Sequence, residues 1–166
     1  MKICSIKVEN FKAFKEVEIP LNPNFNIIIG ENNIGKSTLF EAMLGYNSLI
    51  QANGRSFYGK NTPRYIPFDR LYFLRMTTID DVFHTNRKTA SITINILLEE
   101  IIYSLKIKFE KPASMDFYLR VKYEGQDFQS LSVKLREQGL NLFNSIFIYH
   151  TRPVFNTIKN EPFYNN

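Results

Sequence analysis

Apolar and polar residues alternate from Lys2 to Val8, with Ile3, Ser5 and Val8 marking the register loosely, and this pattern predicts a first strand. Asn10-Phe11-Lys12-Ala13-Phe14 reads as a turn, and Glu16 to Pro20 as a short second strand. Asn22-Pro23-Asn24 interrupts the chain. Phe25-Asn26-Ile27-Ile28-Ile29 is an apolar, β-branched run of the kind that predicts a strand buried on both faces. Beyond a glycine loop, Leu39, Met43, Tyr46 and Ile50 recur at i, i+4, i+7 and i+11, and Phe40 and Leu44 widen that face. Such spacing predicts an amphipathic helix, with Asn53-Gly54 as its stop.

Residues 55 to 88 are rich in aromatics and arginines, and Pro63 and Pro67 preclude a long helix. Within them Leu71 to Met76 has strand character, and Ile79 to Phe83 is ambiguous. Three strand-like runs follow: Ala90 to Glu99, Ile101 to Glu110 and Asp116 to Tyr123. Their connections are too short for helical crossovers, so they are expected to pair antiparallel. Leu131 to Leu142 predicts a helix and Ser145 to Tyr149 a further buried strand, ahead of a polar tail. The chain thus divides into strands, loop and helix (1–53), a basic-aromatic insertion (54–88), and an antiparallel subdomain with a return strand (89–166).

At 166 residues, 44% hydrophobic and 22% charged, the chain has the composition of one globular domain. Glu99 and Glu100 break the best candidate for a membrane span, and MKICSIKVEN has no apolar h-region. The single Cys4 excludes a disulfide framework or a cysteine-based zinc site, and reads as a small buried hydrophobe. A soluble, cytoplasmic protein is expected. The formal net charge of +5 and pI near 9.3 lean toward an anionic partner.

Gly30-Glu31-Asn32-Asn33-Ile34-Gly35-Lys36-Ser37 fits G-x-x-x-x-G-K-[ST], the phosphate-binding P-loop, and lies between a strand-like run and a helical pattern. Each fixed position has a physical reason. Gly30 and Gly35 permit backbone angles and close approach that a Cβ would forbid. The loop's N–H groups and the positive helix end then surround a phosphate. Lys36 is the mobile point charge for the β- and γ-phosphates, and the Ser37 hydroxyl is a hard oxygen ligand for Mg²⁺. Thr38 is placed to hydrogen-bond the α-phosphate. ATP with Mg²⁺ is the expected ligand.

The opening Ile6-Lys7-Val8-Glu9-Asn10-Phe11-Lys12-Ala13-Phe14, followed by Ile27-Ile28-Ile29-Gly30-Glu31-Asn32-Asn33-Ile34-Gly35-Lys36-Ser37-Thr38-Leu39-Phe40-Glu41-Ala42, resembles the ABC-type ATPase heads of the SMC, RecF, RecN and OLD (overcoming-lysogenization-defect) families. The GENN-x-GKST form is most similar to OLD-type phage-defence ATPases. The resemblance implies an α/β P-loop NTPase of the AAA-family, ABC type, with an antiparallel β-subdomain beside a partly built parallel core. It implies that Lys12 and Ala13 lie beside the nucleotide's phosphates or sugar, although Lys12 also reads as a solvated turn lysine. In such heads a strand ending in glutamine helps hold Mg²⁺ and the attacking water. Here the comparable strand, Ser145 to Tyr149, runs into His150-Thr151-Arg152-Pro153. His150 could take the glutamine's place as a weak catalytic candidate, but a lone histidine at a strand end is more often structural.

Neither an LSGG-like signature helix nor a Walker B strand ending in Asp-Glu occurs in the sequence. In the resembling families both come from a C-terminal half. The chain is therefore expected to be the N-terminal lobe of a longer ATPase that acts on DNA in repair or phage defence, and to hydrolyse ATP negligibly alone. The resemblance further implies head-to-head homodimers sandwiching two ATP molecules, and a nuclease domain or subunit as a candidate partner. A different class stays open: a non-hydrolysing ATP sensor that assembles with a nuclease. A kinase or small GTPase lacks support, because no N-K-x-D base-recognition motif occurs. Arg55, Lys60, Arg64, Arg70 and Arg75, interleaved with aromatics, suit single-stranded nucleic acid or simply a packed insertion with solvated arginines. Glu99-Glu100 and Asp80-Asp81 are not expected to act as carboxylate dyads, nor His84 and His150 as metal ligands.

Overall fold

A computed structural model describes residues 1–31, 34–51, 64–69, 77–114 and 116–124, together with Leu131, Lys134 and Glu137; for 44–51 and Arg64 it describes the backbone alone. The two N-terminal alternating segments form an antiparallel hairpin, β1 (Lys2–Phe11) and β2 (Phe14–Pro20). The predicted helix is α1 (Lys36–Gln51). A four-residue strand, β3 (Arg64–Pro67), and a 3-10 turn at Ile79–Val82 lead to β4 (Thr89–Leu98), β5 (Ile101–Glu110) and β6 (Tyr118–Glu124). All six strands join one sheet in the order β2-β1-β4-β5-β6-β3, and each neighbouring pair is antiparallel.

Period-two patterning produces one apolar face. Ile6 stands opposite Ile94, Val8 opposite Ile92, Ile107 opposite both Ile92 and Tyr123, and Phe109 opposite Val121. All are buried, and Leu39 and Ala42 of α1 join them with Ile79, Val82 and Phe83, so helix and 3-10 turn complete the same core. The opposite face carries a polar ladder. Glu9 accepts the Ser91 hydroxyl at 2.6 Å and pairs with Lys106 at 3.2 Å and Lys7 at 3.3 Å. Led by the Ser91 hydrogen bond, these partners hold its carboxyl at about 2, against the opposing effect of burial.

Four expectations change. Phe25–Ile29 forms no strand among the described residues, and Phe25, Ile27 and Ile29 are 73%, 68% and 87% exposed. An apolar run becomes a buried strand only when neighbours pair with both its edges, and the described residues provide none. For the same reason the expected parallel core does not occur among them. Cys4 is half-buried, because β1 shifts register against β4 between Ile3 and Ser5. That bulge also explains why Ile3 and Ile6, of opposite parity, both meet β4 isoleucines. Finally, Glu99 is a turn residue and not the end of a strand: Glu99 and Glu100, at φ 51° and 65°, make the two-residue connection of β4 to β5.

Leu131, Lys134 and Glu137 are helical, in keeping with the predicted helix start. Leu71 to Met76, Ser145 to Tyr149 and His150 lie outside the described residues. No helix among the described residues is long and apolar enough to cross a membrane.

Candidate functional site

The glycine loop ends where α1 begins. The first intrahelical bond closes from Leu39 N–H to Gly35 O at 2.9 Å, so helix geometry leaves the N–H groups of the first turn without intrahelical acceptors. No acidic residue stands in that turn to compete for them. The end of the helix is therefore electropositive and suited to an anion. Gly35 is buried at φ 101°, a conformation L side chains rarely adopt. A Cβ there would come within 2.6 Å of the Phe14 ring, and one on Gly30 within 2.9 Å of Ile34 Cγ2. Gly35 is thus required by contact as well as by backbone angle, and Gly30 is constrained by contact with Ile34.

Lys36 turns its ammonium back across the loop, donating to the carbonyls of Gly30 and Glu31. Ser37 is exposed at the helix start and Thr38 is buried behind it. Glu31 and Ile34 are exposed on the loop, and Asn32 and Asn33 lie outside the described residues. These residues fit a Mg²⁺-nucleotide phosphate chain: two positions that exclude a Cβ, a helix end free of carboxylates, a lysine folded over the loop, and an exposed hydroxyl of the kind Mg²⁺ prefers.

The turn predicted at residues 10–14 comes to the same place. Phe11 pairs with Phe14, leaving Lys12 and Ala13 as a two-residue connection, with Lys12 at φ 49°. Phe14 rests its ring on Gly35, Ala13 is exposed, and the Lys12 ammonium makes an ion pair with Glu41 of α1. On its other side the turn is pinned to the 3-10 segment. Lys12 N–H donates to Val82 O at 3.0 Å, His84 N–H to Asn10 O at 2.9 Å, and His84 Nδ1 lies 3.0 Å from Lys12 O. Lys12 also borders a polar cleft of about 660 Å³ whose cations are Arg87 and Lys88. Lys12, Phe14, Gly35 and Glu41 are therefore one assembly. Sequence reasoning had no signal for Glu41, which meets Lys12 across 29 residues of chain. Phe14 stood in the quoted motif without a role.

Comparison with known proteins decides the family. A family model described as AAA ATPase domain matches residues 1–165. The chain belongs to the AAA ATPase domain family. Membership in the AAA ATPase domain family implies nucleotide binding. Among curated relatives, the DNA replication and repair protein RecF of Chlamydia abortus is 39% identical over 87 residues, and that of Chlamydia caviae 40% identical over 87 residues. The RecF of Haemophilus influenzae is 33% identical over 84 residues. In each case the match takes in 51% of this chain and 22% of the relative, so this AAA ATPase domain spans only a fraction of the relatives' length.

Proposed function

We propose that the chain is the ATP-binding lobe of an ABC-type ATPase, RecF-like in kind, that acts on DNA. The observation that carries this reading is the loop itself: Gly35 at φ 101° under the Phe14 ring, and Lys36 folded over the carbonyls of Gly30 and Glu31. With Mg·ATP bound, Lys36 would neutralise the terminal phosphates and Ser37 would supply a metal ligand, while loop and first-turn N–H groups would donate to the phosphate oxygens. The resemblance would add Lys12 and Ala13, on the turn whose Phe14 ring lies against Gly35, to the nucleotide's surroundings. The name of the matched relatives, DNA replication and repair protein, supports DNA as the substrate on which the ATPase acts. The GENN-x-GKST form favours a second reading, an OLD-like ATPase of phage defence. In both, a Walker B carboxylate pair and a signature helix come from elsewhere in the assembled ATPase, with head-to-head pairing of two copies and a nuclease as candidate partner. Hydrolysis by residues 1–166 alone is then negligible.

Isothermal calorimetry with Mg·ATP tests the reading. Lys36→Ala removes a charge-assisted contact worth about 1.5–3 kcal/mol, a tenfold to hundredfold loss in affinity. Equal affinity for wild type and Lys36→Ala refutes it. Phosphate release by the purified chain at a steady rate, abolished by Lys36→Ala, would instead show a complete catalytic apparatus.

A further inference from the structure

Gly35 is buried, although Glu31, Ile34 and Ser37 around it are exposed. The three atoms nearest to the place its Cβ would take all belong to the Phe14 ring: Cζ at 2.6 Å, Cε1 at 2.7 Å and Cε2 at 3.4 Å. The end of the ring thus stands where a side chain on residue 35 would stand. Nothing in a glycine's own covalent structure holds it at φ 101°, since glycine reaches both signs of φ with similar ease. The ring, by contrast, is held from the sheet. Phe14 opens β2 opposite the buried Phe11, which is bridged to Phe83, and it packs against the core. Between the two phenylalanines, Lys12 N–H donates to Val82 O at 3.0 Å, so the short turn cannot carry the ring away. A shorter apolar side chain would also reach the core. Only the far end of the ring meets Gly35.

We propose that Phe14 is a positioning residue of the nucleotide loop: its ring end, set into the space Gly35 leaves by having no side chain, keeps the loop bent ahead of α1 in its phosphate-binding conformation. This deepens, and rests on, the reading of residues 30–37 as the nucleotide loop. Gly35 O accepts the first intrahelical bond, so the φ of this one residue sets the direction in which the loop leaves the helix end. Backbone N–H groups on the two sides of that bend can converge on one phosphate only while the bend holds. A bend fixed beforehand spares the ligand the cost of ordering it. The size of the effect follows from populations. If the loop without the ring end holds the bend about a tenth to a third of the time, apparent affinity falls by the inverse, roughly threefold to tenfold.

Side-chain reach at position 14 tests the proposal, read as Mg·ATP affinity by calorimetry on the full chain, at a temperature where unfolding curves show every variant folded. Phe14→Leu keeps the apolar packing out to Cδ and removes the ring end, and it should weaken binding roughly threefold to tenfold. Phe14→Met restores the reach with an unbranched, adaptable chain, and it should recover at least half of that loss on a logarithmic scale. The unfolding midpoints of these two variants should lie close together, so stability cannot produce the order of affinities. Should Phe14→Leu fail to fold, Phe14→Ile makes the same truncation with a side chain suited to a strand. A merely structural phenylalanine would lower the midpoint and leave affinity unchanged. That result, or equal losses of affinity in Phe14→Leu and Phe14→Met, with Lys36→Ala still losing the nucleotide, overturns the proposal and leaves the loop assignment standing. Wild-type affinity in Lys36→Ala overturns the loop assignment and this proposal with it.

Discussion

Gly35→Ala places two separable costs on the junction of loop and helix. The first is backbone strain. At φ 101° the residue lies beyond the small left-handed region open to L residues, and holding alanine there costs roughly 1–3 kcal/mol. The second is overlap: the new methyl would stand 2.6 Å from Phe14 Cζ and 2.7 Å from Cε1. Phe14 packs against the core and cannot simply swing away, so relief requires the β1–β2 turn to shift, a disturbance of about 1–3 kcal/mol. Together they amount to about 2–6 kcal/mol, a large share of the 5–15 kcal/mol typical of a domain. The turn that must shift carries Lys12, so Mg·ATP affinity should fall with stability. Urea unfolding and calorimetry on four proteins (wild type, Gly35→Ala, Phe14→Ala and the double variant) separate the terms. Removing the ring cancels the overlap and leaves the strain, so the double variant should be more stable than the sum of the singles predicts, by about 1–3 kcal/mol. Strict additivity, or a Gly35→Ala protein within about 0.5 kcal/mol of wild type, refutes the reasoning.

The polar face of the sheet predicts an acid dependence. Because the Glu9 carboxyl is held at about 2 in the fold against 4.5 ordinarily, its contribution is present above pH 4.5 and is lost as pH falls toward 2. The 29% exposure of the side chain reduces this to about 1–2 kcal/mol, so unfolding of Glu9→Gln should differ from wild type at pH 7 and converge with it near pH 2. Ser37→Ala should weaken ATP binding when Mg²⁺ is present and change it little in chelator, as calorimetry under both conditions would show. Ile107→Ala, at a fully buried position between Ile92 and Tyr123, should lower the urea midpoint by the equivalent of about 2–5 kcal/mol.

Sequence periodicity revealed β1, β2 and β4 to β6 because each buries one face, and burying one face is what imposes a period of two. The glycine bend before α1 was legible because a backbone at positive φ dictates its residue type locally. Other features had no local signature. β3 is four residues long, ends in Pro67 and lies at the sheet edge, where proline is tolerated, so it left no pattern among the aromatics around it. The Glu99-Glu100 turn has both residues at positive φ without the Asn-Gly or Asp-Gly that usually marks such a connection. Phe25–Ile29 misled for another reason. Apolarity reports that a segment gains by leaving water, while strand pairing depends on which edges are available to it. Glu41 and Lys12 were individually unremarkable, since an ion pair across 29 residues is a property of the fold alone.

What holds the glycine loop in place follows from that difference between local and tertiary information. Among the described residues the segment leading into the loop has no strand partner and touches the core through Ile28, so backbone pairing before the loop does not set the loop's position. It comes from the residues after it and from the turn beside it. Leu39 and Ala42 seat the first turns of α1 in the core, which fixes the helix end where the N–H groups converge. Phe14 then sets Gly35 against β1 and β2, and the sheet in turn fixes Phe14 through its pairing with Phe11, itself bridged to Phe83. The loop is thus supported at its C-terminal end by two routes into one hydrophobic core, while its N-terminal end carries exposed isoleucines. Lys36, folded back onto the carbonyls of Gly30 and Glu31, ties that N-terminal end to the start of α1.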